Sequence, residues 1–305
     1  MDKVIRIGTR ESQLAVWQAV KVQGLLGEHG NASELVYIKS EGDTDLKTPL
    51  YEIGVQGIFT RALDMALLNG DIDIAVHSMK DVPTVMAKGI VKAAILPRAS
   101  YKDILVPKPG ESFSDTAGSF VIATSSIRRK AQWLNRYPNT RIENLRGNVN
   151  TRLRKVIESD WNGAIFAAAG LERIDLRPTN AVDLDWMLPA PAQGAIVVVC
   201  CENDMDSLEV CAKFHDDNTA LCTGIERDFL RALLGGCSTP ISALATVTGG
   251  RILFQGNILS NDGRNKATIE KECPLSDAPY IGWDAATELL ATGGQQILDS
   301  IRNEG

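Results

Sequence analysis

Arginine recurs in this chain where a short apolar run gives way to a small polar turn. Residues 4–7 lead into Gly8, Thr9 and Arg10, and residues 120–123 lead into Thr124, Ser125, Ser126, Ile127, Arg128 and Arg129. Residues 142–145 lead into Arg146, Gly147 and Asn148, with Arg152 one turn further on. If each run is a strand feeding a helix, the turn aims unpaired backbone N–H groups and a positive helix end at whatever sits beyond it. A guanidinium fork added there makes a clamp for carboxylate or phosphate. Arg173 follows a fourth apolar run in the same way, so the pattern predicts a ligand with several negative charges. Arg136, Arg141, Arg154 and Arg177 lack that placement and are read as solvated.

Two other residue types could act beside these clamps. In Val76-His77-Ser78-Met79-Lys80-Asp81-Val82-Pro83, Lys80 and Asp81 fall at the carboxyl end of a buried run. An exposed Lys–Asp pair contributes little by itself. Asp81 is nevertheless the only acid expected beside a cationic site, where a carboxylate can bond ligand N–H groups and stabilise a developing cation. Cys237 stands between Gly235-Gly236 and Ser238-Thr239-Pro240. A free cysteine usually packs into a core, and Cys200, Cys201, Cys211 and Cys222, in apolar runs or helices, are read that way; Cys273 has no supporting motif. The glycines and proline around Cys237 describe an exposed, shaped loop instead, in which a thiol is a nucleophile or an attachment point.

The elements that must hold these residues can be read from periodicity. At 305 residues the chain suits two or three domains, and 44% hydrophobic with 23% charged residues is the balance of a soluble globular protein. Strand and helix patterns alternate over 4–7, 11–26, 34–39, 58–68 and 72–76, and again over 120–123, 127–136, 141–145, 149–159 and 164–167. Such alternation implies βαβ units and parallel or mixed sheets, with ligands outside the carboxyl ends of the strands. Residues 40–57 lack periodicity and are expected to form a functional loop. Prolines at 97, 107 and 109, and the stretch Pro189-Ala190-Pro191-Ala192-Gln193-Gly194, mark two crossings. The chain is expected to leave a first α/β lobe (1–97), build a second (98–194), and return to complete the first (195–215). From 216 to 305 a small α+β domain is expected: a helix over 219–234, three antiparallel strands near 241–248, 251–259 and 266–272 with turns at Gly249-Gly250 and Asp262-Gly263, and a helix over 285–301.

Several classes are disfavoured. The net charge is −6, so the arginines gathered between 128 and 177 favour a small polyanion in a cleft over nucleic acid. No apolar stretch approaches the roughly 20 residues that span a bilayer. No secretory signal precedes the first strand pattern, the six cysteines include no CxxC pair, and His29, His77 and His215 are scattered. A cytoplasmic protein without a metal, binding neither nucleic acid nor membrane, is the expectation.

Taken together, Gly8-Thr9-Arg10-Glu11-Ser12-Gln13-Leu14-Ala15, the segment 77–83, Thr124 to Arg129, Leu145 to Leu153, Gly170-Leu171-Glu172-Arg173 and Gly235-Gly236-Cys237 resemble the hydroxymethylbilane synthase (porphobilinogen deaminase) family, in the family's order and across nearly the whole chain. The resemblance implies two lobes like those of periplasmic binding proteins and a third domain with a loop cysteine. It implies a dipyrromethane cofactor joined through a thioether to Cys237, and stepwise addition of four porphobilinogen units before hydrolysis releases the linear tetrapyrrole. By the same resemblance, Asp81 would help ammonia leave. Lys80, Asp81, Ser126, Arg128 and Arg129 would hold the cofactor. Arg10, Ser12, Gln18, Arg146, Asn148, Arg152, Arg173 and Gln193 would hold the substrate or the growing chain, in a monomer. This chain departs from the family pattern in having Gln56 where lysine is common, and Ala192 where a glycine usually precedes the glutamine. The rival expectation is a two-lobed anion-binding protein without catalysis, which would leave Cys237 and Asp81 without a task.

Overall fold

The computed structural model describes residues 3–40, 60–111, 120–233 and 239–304. The first stretch of chain supplies β1 (Ile5–Thr9), α1 (Gln13–Glu28), β2 (Ser33–Tyr37), α2 (Arg61–Leu68), β3 (Ile74–Ser78) and β4 (Ile90–Ile95). The middle supplies β5 (Asp103–Pro107), β6 (Val121–Ala123), α3 (Ile127–Arg136), β7 (Arg141–Glu143), α4 (Val149–Glu158), β8 (Gly163–Ala167), the short α5 (Ala168–Glu172) and β9 (Val182–Asp183). Then come β10 (Ile196–Cys201), α6 (Met205–Ala212), α7 (Asp217–Ala232), β11 (Ile241–Thr248), β12 (Arg251–Leu259), β13 (Lys266–Pro274), α8 (Ala278–Leu289) and α9 (Gln295–Glu304).

Two five-stranded sheets share one plan. The first runs β2-β1-β3-β10-β4 and the second β7-β6-β8-β5-β9. In each, three parallel strands are followed by an antiparallel one that has crossed over from the other half of the chain: β10 lies between β3 and β4, and β5 between β8 and β9. The crossing segments run side by side, with Leu96 N–H donating to the Ile196 carbonyl at 3.0 Å and Ala99 N–H to that of Gly194 at 3.1 Å. Strand order reverses beside β1 and β6, which places the arginine turns at the switch points where such sheets bind ligands.

Each sheet is buried on both faces, as expected for strands covered by helices. Ile7, Val22, Leu26 and Val198 pack on one face of the first sheet, and Leu63, Ile72, Ala75 and Val197 on the other. In the second sheet Ile104, Ala164 and Phe166 face one way, while Leu105, Ile122, Ile165 and Trp133 face the other. The third sheet, β11-β12-β13, is antiparallel and closes its core against α7 and α8 through Ile225, Phe229, Phe254 and Ile281. The cysteines read as packing residues do pack: Cys200, Cys211 and Cys222 are buried and Cys201 partly so.

The sequence reading is corrected at the end of the chain. The one helix expected over 285–301 is two, because Thr292 (φ −104°) and Gly293 (φ +112°) leave helical geometry between α8 and α9. Glycine takes that left-handed conformation without steric cost. Helix α8 also begins earlier than expected, where proline occupies its first turn.

Candidate active site

The carboxyl ends of the two five-stranded sheets open onto one cleft of about 920 Å³. Among the described residues, eight basic side chains and two acidic ones line it, in a chain whose net charge is −6. The basic excess is therefore a property of the cleft, which is what a polyanion site requires.

Each arginine turn is built by a local cap. Ser12 caps α1 by accepting from Ala15 N–H at 3.4 Å, Ser126 caps α3 by accepting from Arg129 N–H at 3.4 Å, and Asn148 caps α4 by accepting from Thr151 N–H at 2.9 Å. Such caps stabilise a helix start by about 1 kcal/mol, and here they also aim the remaining amides into the cleft. The second and third turns are tied together through Ser125, whose hydroxyl accepts from Leu145 N–H at 3.0 Å and donates to the Asn144 side chain at 2.6 Å. Gly147 sits at φ +114°, and its carbonyl accepts from Arg152 Nε at 2.7 Å. Burial pushes the Arg152 guanidinium down to about 10 and that of Arg173 likewise. Arg173 donates to the Gly194 carbonyl at 2.7 Å and lies 5.9 Å over the Trp17 ring.

Lys80 and Asp81 lie on a single 3-10 turn, Met79–Asp81, directly after β3. Met79 is buried while Asp81 is exposed to the cleft. Burial pushes the Lys80 ammonium down to about 8, against the opposing pull of Asp81 and the further depression by Arg129. Lys80 Nζ donates to Gln193 Oε1 at 3.2 Å.

The expectation that Asp81 is the only acid beside the cations does not hold. Glu11 also lines the cleft, and Asp103, fully buried at the start of β5, lies behind its wall. Asp103 accepts from Arg128 Nη2 at 2.7 Å, from Arg129 Nε and Nη2 at 3.0 and 2.7 Å, and from Gln193 Nε2 at 3.0 Å. Burial would raise its pKa, but Arg128, Arg129 and Lys80 outweigh that and hold it at about 2. Arg128 also donates to the Leu188 carbonyl and Arg129 to that of Ile165, so both forks are fixed before any ligand arrives.

Of the residues singled out from sequence, Arg10, Ser12, Lys80, Asp81, Ser126, Arg128, Arg129, Arg146, Asn148, Arg152, Arg173 and Gln193 all line the cleft. Gln18 does not: it is buried in α1 and its amide donates to Ser78 Oγ at 2.9 Å, so it supports the wall from behind. Cys237 and, past Ser40, the functional loop expected over 40–57, with Gln56, lie outside the described residues. Ala192 has φ +63°, a conformation that glycine would adopt without steric cost, and Glu226 accepts from its N–H at 2.6 Å. Of the arginines read as solvated, Arg141, Arg154 and Arg177 form surface ion pairs, while Arg136 stacks over Trp186 at 5.1 Å.

Asp103 and Glu226 escaped the sequence reading, although each left a signal. Asp103 is a lone acid opening the apolar run Ile104-Leu105-Val106, and Glu226 shares a helical stripe with Cys222, Ile225 and Phe229. A charge on a buried stripe asks for a partner. For Glu226 the partner is Arg98, paired at 2.5 Å beside the crossing segments.

Comparison with known proteins bears on the same residues. Residues 5–209 match the family model "Porphobilinogen deaminase, dipyromethane cofactor binding domain", and residues 220–291 match "Porphobilinogen deaminase, C-terminal domain". The chain is similar to the porphobilinogen deaminase of Syntrophotalea carbinolica, 42% identical over 98% of this chain and 96% of that protein. It is also similar to the chloroplastic porphobilinogen deaminase of Pisum sativum, 41% identical over 97% of this chain and 84% of that protein. The methionine binding protein MetQ overlaps 71% of this chain and 91% of its own at a TM-score of 0.44 and 14% identity; the two-lobed description rests on the sheets themselves, not on that overlap. The chain belongs to the porphobilinogen deaminase family, the hydroxymethylbilane synthases: transferases of tetrapyrrole biosynthesis that act on porphobilinogen and work with a dipyrromethane cofactor.

Proposed function

We propose that this cleft divides the synthase reaction among its residues as follows. Cys237 carries the dipyrromethane through a thioether; Arg128, Arg129, Lys80 and Ser126 hold its carboxylates; Arg10, Ser12, Arg146, Asn148, Arg152 and Arg173 hold the incoming porphobilinogen and the lengthening chain; and Asp81 serves the reacting centre. The donor set supports this fit. A dipyrrole with acetate and propionate arms needs several cations converging on one cavity, and guanidinium forks at capped helix starts supply them. When bound, the dipyrromethane supplies the free pyrrole end to which porphobilinogen units are added. Asp81 is the cleft carboxylate carried on the same turn as Lys80. It accepts pyrrole N–H groups and stabilises positive charge that develops on the substrate as ammonia departs. Gln193 links Lys80 to Asp103, and Gln18 braces Ser78, so both position the site from behind.

The observation that carries the reading is the convergence of three capped arginine turns on the turn that presents Asp81. Intact mass spectrometry of wild type and Cys237→Ser tests it. Wild type should carry the added mass of a dipyrrole, and the folded variant should lack it. A Cys237→Ser protein that still holds the dipyrrole covalently would refute the attachment. Asp81→Ala should retain part of the cofactor and lose turnover; near-normal porphobilinogen consumption would remove Asp81 from the mechanism. We further read the chain as a cytoplasmic monomer. The five free cysteines among the described residues suit a reducing compartment, and light scattering on the loaded protein checks the monomer.

A further inference from the structure

Asp81 owes its place to the turn that carries it. Among the described residues its carboxylate makes no hydrogen bond of its own, and a single 3-10 turn is too short to hold a side chain rigidly. The Met79 carbonyl closes the turn by accepting from Val82 N–H at 3.2 Å, and one side chain from a distant part of the chain binds that carbonyl and two more just past the turn. Arg227, buried in the middle of α7, donates through Nη1 to the Met79 carbonyl at 3.2 Å and the Val82 carbonyl at 2.8 Å, and through Nη2 to that of Pro83. One turn along the same helix, Arg231 donates to the Thr84 carbonyl at 2.8 Å.

This arrangement is unusual for a buried arginine. Among the described residues Arg227 forms no ion pair, and burial pushes its guanidinium down to about 10. A buried charge is normally kept only with a carboxylate or an equivalent set of hydrogen bonds. Here three backbone oxygens play that part, and a planar fork meeting three fixed acceptors sets the position and the orientation of the segment they belong to. Helix α7 packs with the third sheet, and in sequence it runs on toward Cys237.

We propose that Arg227 is a positioning residue for Asp81: from the third sheet's helix it fixes the Met79–Asp81 turn so that the carboxylate meets the reacting centre. The proposal rests on the reading of Asp81 given above. A lysine at 227 keeps the charge and most of the stem but cannot span three carbonyls. In the cofactor-loaded protein, Arg227→Lys should keep dipyrromethane occupancy by intact mass and KM for porphobilinogen within about 2-fold, and lose about 10- to 100-fold in kcat, the scale of a displacement near 1 Å. Hydrogen exchange in peptides spanning 79–84 should quicken while the second sheet is unchanged. In an Asp81→Asn background the same substitution should lower residual turnover less than about 3-fold, because the group it positions is already disabled. Arg231→Gln, which removes the neighbouring Thr84 contact and a surface ion pair with Asp228 but leaves the Met79, Val82 and Pro83 carbonyls held, should leave kcat within about 2-fold.

The proposal is overturned if Arg227→Lys retains its kcat, if its loss multiplies in full on top of Asp81→Asn, or if Arg231→Gln costs as much. Near-normal turnover in Asp81→Asn alone overturns the underlying assignment instead, and is told apart because Arg227 is then intact. Should Arg227→Lys not fold, Arg227→Gln, which keeps two donors, is read by the same measurements and the same limits.

Discussion

Replacing Asp103 tests whether the anion-binding arginines are prepared in advance. Its carboxylate is the common acceptor for Arg128, Arg129 and Gln193, through contacts of 2.7 to 3.0 Å. Two substitutions differ in magnitude. The native carboxyl titrates at about 2 instead of 3.8, so the folded state prefers the charged over the neutral form by roughly 2–3 kcal/mol. The amide introduced by Asp103→Asn resembles the neutral acid, so that substitution should cost about as much. Asp103→Ala removes every acceptor oxygen and leaves two buried guanidiniums unbalanced, a loss of about 3–5 kcal/mol. For a chain of this length those values correspond to falls of about 4 °C and about 5–8 °C in the relevant thermal transition. Because the folded pKa is depressed, the contribution is complete above the unfolded value and lost only as pH falls through about 2. Titration of this carboxyl therefore adds no pH dependence to the deficit of either variant above about pH 5. Scanning calorimetry of the loaded proteins, paired with intact mass for cofactor occupancy, measures both effects. An Asp103→Ala protein melting within about 1 °C of wild type, at full occupancy, would refute the reasoning.

Lys80 should behave differently, since burial brings its ammonium down to about 8. It is charged at pH 7 and loses that charge as pH rises through 8, so the rate of dipyrromethane loading, followed by time-resolved mass spectrometry, should fall several-fold between pH 7 and 9. Lys80→Arg should flatten that profile. Glu226→Ala strips a fully buried site of the acceptor for Arg98 and for the N–H groups of Ala192 and Ala245; a loss of about 3–5 kcal/mol should appear in urea unfolding as a lowered midpoint. Gly194→Ala should be costlier than Gly30→Ala, although both glycines have positive φ. A Cβ at 194 would stand 2.7 Å from the Ala99 and Ser100 carbonyl oxygens, whereas at 30 it meets open space. The expected difference, about 2 kcal/mol or more on top of the shared conformational cost, is read from the same unfolding curves.

The sequence by itself determined the features that are satisfied within a few residues. The arginine turns could be read because their caps, Ser12, Ser126 and Asn148, bond amides three residues on, and because strand and helix periods are local properties of the chain. The same locality made the Met79–Asp81 turn and the three hairpin strands legible. It failed at Gly293, where one glycine pair ended a helix whose apolar period continued past it. What the tertiary structure alone decided is which distant group completes each site. Asp103 reaches Arg128 and Arg129 because β5 enters the second sheet antiparallel between β8 and β9. Gln193 meets Lys80 because the two crossing segments run side by side, and Arg227 reaches the Asp81 turn from 148 residues away from Met79. Gln18 carries the same residue type that family resemblance put in the cleft, yet the burial of α1 turns it toward Ser78. These partners were not legible because an ion pair or a carbonyl clamp is chosen by the adjacency of elements, and adjacency is settled by packing of the two sheets, on which local periodicity is silent.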